Sequence, residues 1–295
     1  MKILMHFRHF PVAMGRFIHW GLQDLGHEVF TVGPYSDGKI PWGPQFYYPQ
    51  HKFPPNYVLP DANLQVENVL RVIPFKPDVI LQAADTIFLE GMARVPNFIL
   101  GTDPHVIDYT PRFAFADGYF SMQKHYATPD AIWVPYAYDK NIHKYLPKEK
   151  IEYDVVFSGL QYEHRMAALN AMEAQGIKVL NTLGLIYEDY VKAYNKGKIA
   201  FVYSSKEDLP ARFWEGLAMR RLVLANRVPD LQELEFKEGE DYVGFSTIEE
   251  AVEKAKYYSV NDSERERIAL NGWKKVQPHT YQERCKTIIK AMMSA

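Results

Sequence analysis

Residues 206–220 read KEDLPARFWEGLAMR and set Glu215 inside the otherwise apolar run WEGLAM. A buried carboxylate without a partner is costly. Glu215 must therefore reach solvent, or face a cleft where something needs a hydrogen-bond acceptor. Arg212 stands three residues earlier, on the same face of a helix. Upstream, KIAFVYS (198–204) reads as a buried strand, and Pro210 suits a first helical turn because its missing N–H would be unbonded there. Asp208 is placed to help cap that helix. The helix thus starts just past the carboxyl end of a strand, where α/β sheets bind ligands and free backbone N–H groups favour phosphate. A cation beside a diphosphate and a carboxylate beside a ribose diol would suit a nucleotide. An ordinary surface Arg–Glu pair is the alternative that the spacing leaves open.

The elements that must position these residues follow from periodicity. MKILMHF is a short apolar run of the kind that forms a buried strand. RFIHWGLQDLGHEV then has helical spacing, with Gly26 as its stop and Glu28–Val32 as a second strand, which is the opening of a doubly wound domain. Residues 34–61, rich in Pro, Gly and Tyr, read as a long ordered loop. A helix over 62–72 follows, then strands in KPDVILQAAD, NFILG (97–101), 118–121 and 131–134. The polar stretch from Ala137 to Glu152 marks a domain boundary. A second strand–helix series runs from YDVVFSG (153–159) to a last helix over about 281–293. The expected architecture is α/β, with an N-terminal Rossmann-like domain over 1–145, a second over 146–278 facing it across a cleft, and a C-terminal segment, 279–295, packing back towards the first.

Composition narrows the function. At 295 residues, with 47% hydrophobic and 24% charged, the chain is an ordinary globular one with room for two domains. A net charge of −2 gives no overall footprint for nucleic acid or an anionic membrane. Cys285 is the only cysteine, which excludes an intrachain disulfide and suggests a reducing compartment. MKILMHFRHF carries too short an apolar run for a signal peptide, and no stretch approaches a membrane span, so a cytoplasmic protein is expected. The chain has no G-x-G-x-x-G after its first strand, no P-loop, no G-x-S-x-G and no H-E-x-x-H. Its ten histidines are scattered, so no metal site is expected.

The C-terminal half resembles a retaining glycosyltransferase of the GT-B fold, in the family 4-like group, and is most similar to the branch related to spore-maturation glycosyltransferases. The group's Glu-x7-Glu pattern is present as Glu207 and Glu215. RFWEGLAMRRLVLAN, VPDLQELEFKEGEDYVGFSTIEEAVEKAKYY and RERIALNGWKKVQPHTYQER match its later segments in order. The resemblance implies transfer of a sugar from a nucleotide-diphosphate donor to a hydroxyl acceptor, retaining and without a metal or other cofactor. Glu215 would hold the ribose hydroxyls and Glu207 would lie by the donor sugar. In FSGLQYEHR, Ser158 and Gly159 match the diphosphate loop and Arg165 its lysine, while Leu160 departs from the pattern where relatives carry an arginine. Arg212 could supply the missing charge. In the first half Gly15 matches a glycine near the donor phosphate, and His105, with Asp103 beside it, matches a histidine facing the cleft. Trp42 and Tyr47, in the aromatic loop, are candidates for acceptor contact. The rival readings are a non-catalytic two-domain sugar- or nucleotide-binding protein and a glycosyltransferase acting on modified DNA bases.

Overall fold

The structure, a computed structural model, describes residues 1–294 apart from Trp42, Ala84 and Asp85, without the side chain of Pro44. The chain forms two compact units: Met1–Pro135 together with Tyr281–Ala295, and Tyr136–Thr280.

The first unit is built on a seven-stranded sheet. Its elements in chain order are β1 (Lys2–His6), α1 (Met14–Asp24), β2 (Glu28–Gly33), β3 (Lys39–Ile40), β4 (Gly43–Tyr47), β5 (Tyr57–Val58), β6 (Leu64–Gln65), α2 (Val66–Val72), β7 (Val79–Gln82), β8 (Leu89–Glu90), β9 (Asn97–Gly101), β10 (Gly118–Ser121) and β11 (Ile132–Trp133). The sheet order is β11-β10-β9-β7-β1-β2-β5, and every pairing within it is parallel. Parallel strands carry crossovers on their faces and are buried on both. That is why β1, β7 and β9 read as continuous apolar runs. The 34–61 segment is not wholly loop: β3 and β4 pair antiparallel, and β5 joins the sheet edge at Val32↔Tyr57. The helix expected over 62–72 begins only at Val66, because Leu64 and Gln65 pair with Leu89 and Glu90.

The second unit holds a five-stranded parallel sheet: β12 (Tyr153–Ser158), α3 (Glu163–Ala174), β13 (Val179–Thr182), α4 (Tyr187–Asn195), β14 (Gly197–Val202), α5 (Ala211–Ala218), β15 (Leu222–Asn226), α6 (Pro229–Gln232), β16 (Val243–Phe245), α7 (Ile248–Val260) and α8 (Asp262–Val276). Strand order is β13-β12-β14-β15-β16. Its core gathers Val155, Phe157, Ile199, Phe201, Leu222 and Leu224 under Leu169, Met172 and Ile268. Helices α1 and α3 stop in the same way. Gly26 and Gly176 take φ of +82° and +79°, and the next residue's N–H turns back onto a helical carbonyl (His27 to Leu22, Ile177 to Met172).

The last helix, α9 (Tyr281–Met292), returns to the first unit and packs on α1. Phe17 and Tyr281 stack at 5.2 Å, Gln282 donates to Asp24 at 2.8 Å, and the Cys285 thiol lies 3.5 Å from the Ile18 carbonyl. Among the described residues no helix is long and apolar enough to cross a membrane.

Candidate functional site

In the second sheet the chain leaves β12 for β13 on one side and then crosses to β14 on the other. The order therefore reverses between β12 and β14, and the loops at their carboxyl ends frame the crevice where such sheets bind ligands. Ser158 ends β12, and Gly159 and Arg165 follow it; Glu207, Asp208, Arg212 and Glu215 follow β14.

Helix α5 supplies the central pair. Phe213, Trp214, Leu217 and Ala218 bury one face of it, and Gly216 lets it lie against the sheet, since a Cβ there would come within 2.9 Å of Val223 and 3.0 Å of Ala200. Arg212 and Glu215 share the half-buried face. Pro210 stands at the helix start with no side-chain cap. Asp208 does not cap α5: Pro210 has no N–H to offer, and the buried Asp208 carboxylate instead accepts from the Ser205 and Lys206 N–H groups at 3.2 Å. This pinned loop holds Glu207 exposed at φ +58°, a left-handed conformation that is uncommon for a residue with a side chain.

Arg212 extends along the end of β12. Its Nε donates to the Ser158 carbonyl at 3.0 Å and its guanidinium lies 4.9 Å from the Phe157 ring centre. Gly159 makes this possible, because a Cβ there would stand 2.3 Å from Nη2. Arg212 Nη1 is covered and has no hydrogen-bond partner. Burial opposes the charge, but Tyr194, Tyr190, Glu215 and Asp208 outweigh it and hold the guanidinium above its ordinary value. Arg165 is buried beside it, with Nε donating to the Tyr203 carbonyl at 2.6 Å and Nη1 to Leu160 at 3.0 Å. Burial, then the Arg212 charge, pushes Arg165 down to about 10. The two guanidiniums repel each other, and the Asp208 carboxylate favours the charged form of both.

Glu215 has found partners that its local sequence does not announce. Oε2 accepts from the Tyr190 hydroxyl at 2.5 Å, and Oε1 lies 3.4 Å from His143 Nε2. His143 Nδ1 accepts the Asp139 N–H at 3.0 Å, so the neutral ring carries its proton on Nε2, facing the carboxylate. Tyr190 packs tilted against Tyr194, ring centres 4.6 Å apart, and the Tyr194 hydroxyl oxygen in turn accepts the Ser158 N–H. Tyr190 comes from α4, and His143 from the polar stretch read in sequence as a domain boundary. With the Glu215 side chain 16% exposed and one acceptor position per oxygen still open, the carboxylate can receive two further donors.

The residues placed in the first unit are not gathered in this way. His105 Nδ1 pairs with Gln123 Oε1 at 2.8 Å, and Asp103 accepts from the Thr102 hydroxyl at 3.0 Å. Gly15 sits in the first turn of α1, where a Cβ would fall 2.3 Å from the Phe7 ring, so close packing is what the fold asks of it. Tyr47 is exposed on β4, with Lys52 Nζ 5.9 Å from its ring centre. Trp42 lies outside the described residues. Among the described residues no group of three or more His, Cys, Asp or Glu side chains could hold a metal ion.

A family model described as glycosyl transferase-like matches residues 140–290. No curated protein matches the sequence. Among solved structures the chain is similar to Anabaena Alr3699/HepE in complex with UDP-glucose, at 14% identity over all of both chains and a TM-score of 0.70. It is similar to sucrose-phosphate synthase (tll1590) from Thermosynechococcus elongatus, at 11% identity over 100% of this chain and 99% of that one, with a TM-score of 0.62. An alpha-glucosyltransferase in complex with UDP-glucose and DNA containing an abasic site matches at 11% identity over all of both chains, with a TM-score of 0.63. At such identities the likeness is one of fold, two Rossmann-like domains completed by a returning C-terminal helix.

Proposed function

The chain belongs to the glycosyl transferase-like family, and from that premise we propose that it moves a sugar from a nucleoside diphosphate sugar to a hydroxyl acceptor, with retention at the anomeric carbon and no bound metal. The observation that carries the reading is the trio Arg165, Arg212 and Glu215 at the carboxyl edge of the second sheet, at its switch point. As the bond from the anomeric carbon to the diphosphate oxygen breaks, negative charge grows on the leaving group. Fixed cations aimed at that charge lower the barrier most in a site that excludes water. The unpartnered Arg212 Nη1 is a donor without an assignment in the ligand-free protein, and a phosphate oxygen would give it one.

Glu215 would accept the ribose hydroxyls at its open positions, and Ser158 and Gly159 would approach the diphosphate through backbone. Glu207, exposed in its strained turn, would stand by the donor sugar. His105 would steady the donor sugar or acceptor, Asp103, Trp42 and Tyr47 would lie on the acceptor side, and Gly15 would open the loop that meets the donor phosphate. UDP-glucose is the first donor to try, since HepE and the alpha-glucosyltransferase are described with it. A DNA acceptor asks for a basic face, and a net charge of −2 gives that no support. A lone buried thiol and a nucleotide-sugar donor fit the cytoplasm.

Thermal-shift screening with UDP, GDP, ADP, CMP and dTDP sugars tests the donor. A ligand at a hundred times its Kd adds about 2.7 kcal/mol to the folded state. Glu215→Ala should abolish the shift, and a full shift in that variant would remove the role given to Glu215. Following the anomeric proton of the product by NMR checks retention.

A further inference from the structure

Resting on the reading of Glu215 as the pentose-binding carboxylate, we propose that Tyr190 and His143 are its positioning residues and set the enzyme's preference for ribose over 2′-deoxyribose nucleotides. A carboxylate on a glutamate turns freely about its last bond unless its oxygens are held. Here each oxygen faces a different group from a different segment, one hydrogen-bonded and one at 3.4 Å. Tyr190 Oη reaches Oε2 from α4, and His143 Nε2 faces Oε1 from the 139–143 turn. Both donors are themselves anchored. The Tyr190 ring packs tilted against Tyr194 at 4.6 Å, and His143 is fixed by the Asp139 N–H at 3.0 Å and lies edge-on to Tyr190 at 6.1 Å. The His143 side chain is 5% exposed against 16% for Glu215, so the imidazole stands inward of the carboxylate.

Tyr190 uses one acceptor position on Oε2, His143 stands close to Oε1, and each oxygen keeps at least one position for a further donor. A vicinal diol presents two hydroxyl donors on adjacent carbons, and a carboxylate locked in one plane can take both at once. A 2′-deoxyribose offers one donor and leaves the other oxygen facing carbon. A site built to receive a hydroxyl rejects the analogue that lacks it far better than a pocket of mere shape can. That discrimination requires a fixed plane. A carboxylate free to turn takes a single hydroxyl equally well in many orientations.

The test measures binding by calorimetry with UDP, CDP, ADP and GDP, each against its 2′-deoxy counterpart, in the intact protein. Wild type should bind the best ribonucleotide at least about tenfold more tightly than its deoxy form, an estimate from the worth of a hydrogen bond to a charged group. Glu215→Ala should lose both affinity and preference. Tyr190→Phe keeps the ring that packs against Tyr194, so its ligand-free melting temperature should stay close to wild type while the preference falls to about twofold. His143→Gln retains an N–H donor and should keep most of the preference, whereas His143→Leu should not. If Glu215→Ala loses the preference and Tyr190→Phe and His143→Leu keep it, the positioning role is overturned and the ribose reading stands. A stronger preference in Tyr190→Phe would also overturn it, because Tyr190 would then be competing with the diol for its acceptor. If wild type shows no preference, or none of these nucleotides binds, both ideas fall together.

Discussion

Gly159 is the smallest residue in the site and the one whose role is most directly testable. It provides space, and its φ of +158° is one that residues with a Cβ rarely adopt. The atom that a Cβ would meet is Arg212 Nη2, the far end of a long side chain, with Nη2 and Cζ at 2.3 and 3.1 Å. A flexible side chain can move aside at little cost to the fold. The backbone cannot adapt as easily, so Gly159→Ala should lower ligand-free stability by about 1–3 kcal/mol, the cost of a Cβ at that φ. Arg212 would be pushed off the end of β12, and UDP-glucose affinity should fall about tenfold or more, the worth of one charge-assisted contact. Denaturant melts and calorimetry on the same sample separate the two effects. Unchanged UDP-glucose binding in this variant would show that Arg212 does not meet the diphosphate from where it lies.

At the scale of elements, α9 completes the first unit through one close approach. Gly21 of α1 faces Cys285, where a Cβ would come within 2.7 Å of Sγ and 3.1 Å of the Tyr281 carbonyl oxygen. Alanine is the better helix former by about 1 kcal/mol, but overpacking a tight contact costs about 1–3 kcal/mol, so the clash should win. Gly21→Ala is expected to lower stability in urea titrations. Adding Cys285→Ala should recover part of the loss, with a coupling of about 0.5–2 kcal/mol between the two sites. Simple additivity would mean that the helices are not in contact there. Elements of this kind were legible where one signal fixed them. Apolar runs gave β1 and β14, and the glycine at 26 gave the end of α1. The three-residue β16 was not legible, being too short to show a period. Arg212 and Glu215 were found because helical spacing joins them. Tyr190 and His143 were not, because nothing local links them to Glu215; only the turn of α4 and the fold of the 139–143 segment bring them to its oxygens. Asp208 shows the same limit, since a carboxylate two residues before a proline fits a cap or a loop anchor equally well in sequence.

At the scale of the molecule, charge inside the first unit decides where acid strikes. His6, His9 and His19 are all buried there, with His9 stacked between Phe7 at 4.0 Å and Phe53 at 5.1 Å. Burial, then the Arg8 charge, pushes His6 down to about 4. Burial also holds His9 at about 3, against the opposing bond to the Phe53 carbonyl, and His19 at about 4, against one to Gln23. In the unfolded chain each returns to an ordinary value near 6.5. As pH falls below that value the unfolded chain takes up protons that the folded unit refuses, so stability present in full above pH 6.5 is lost progressively towards pH 4 and, for His9, pH 3. Each group forfeits on the order of 3 kcal/mol over its window. Three such losses approach the 5–15 kcal/mol that a whole domain possesses. The first unit should therefore unfold between about pH 6 and pH 4, and hydrogen exchange read by mass spectrometry should show β1, α1 and β7 losing protection there. Because α9 belongs to that unit, its amides should open with them, although in the chain it follows the second unit. Protection of α9 that outlasts that of β1 would sever the helix from the unit it completes, and a melting temperature flat down to pH 4 would show that the three imidazoles are already solvated in the native protein.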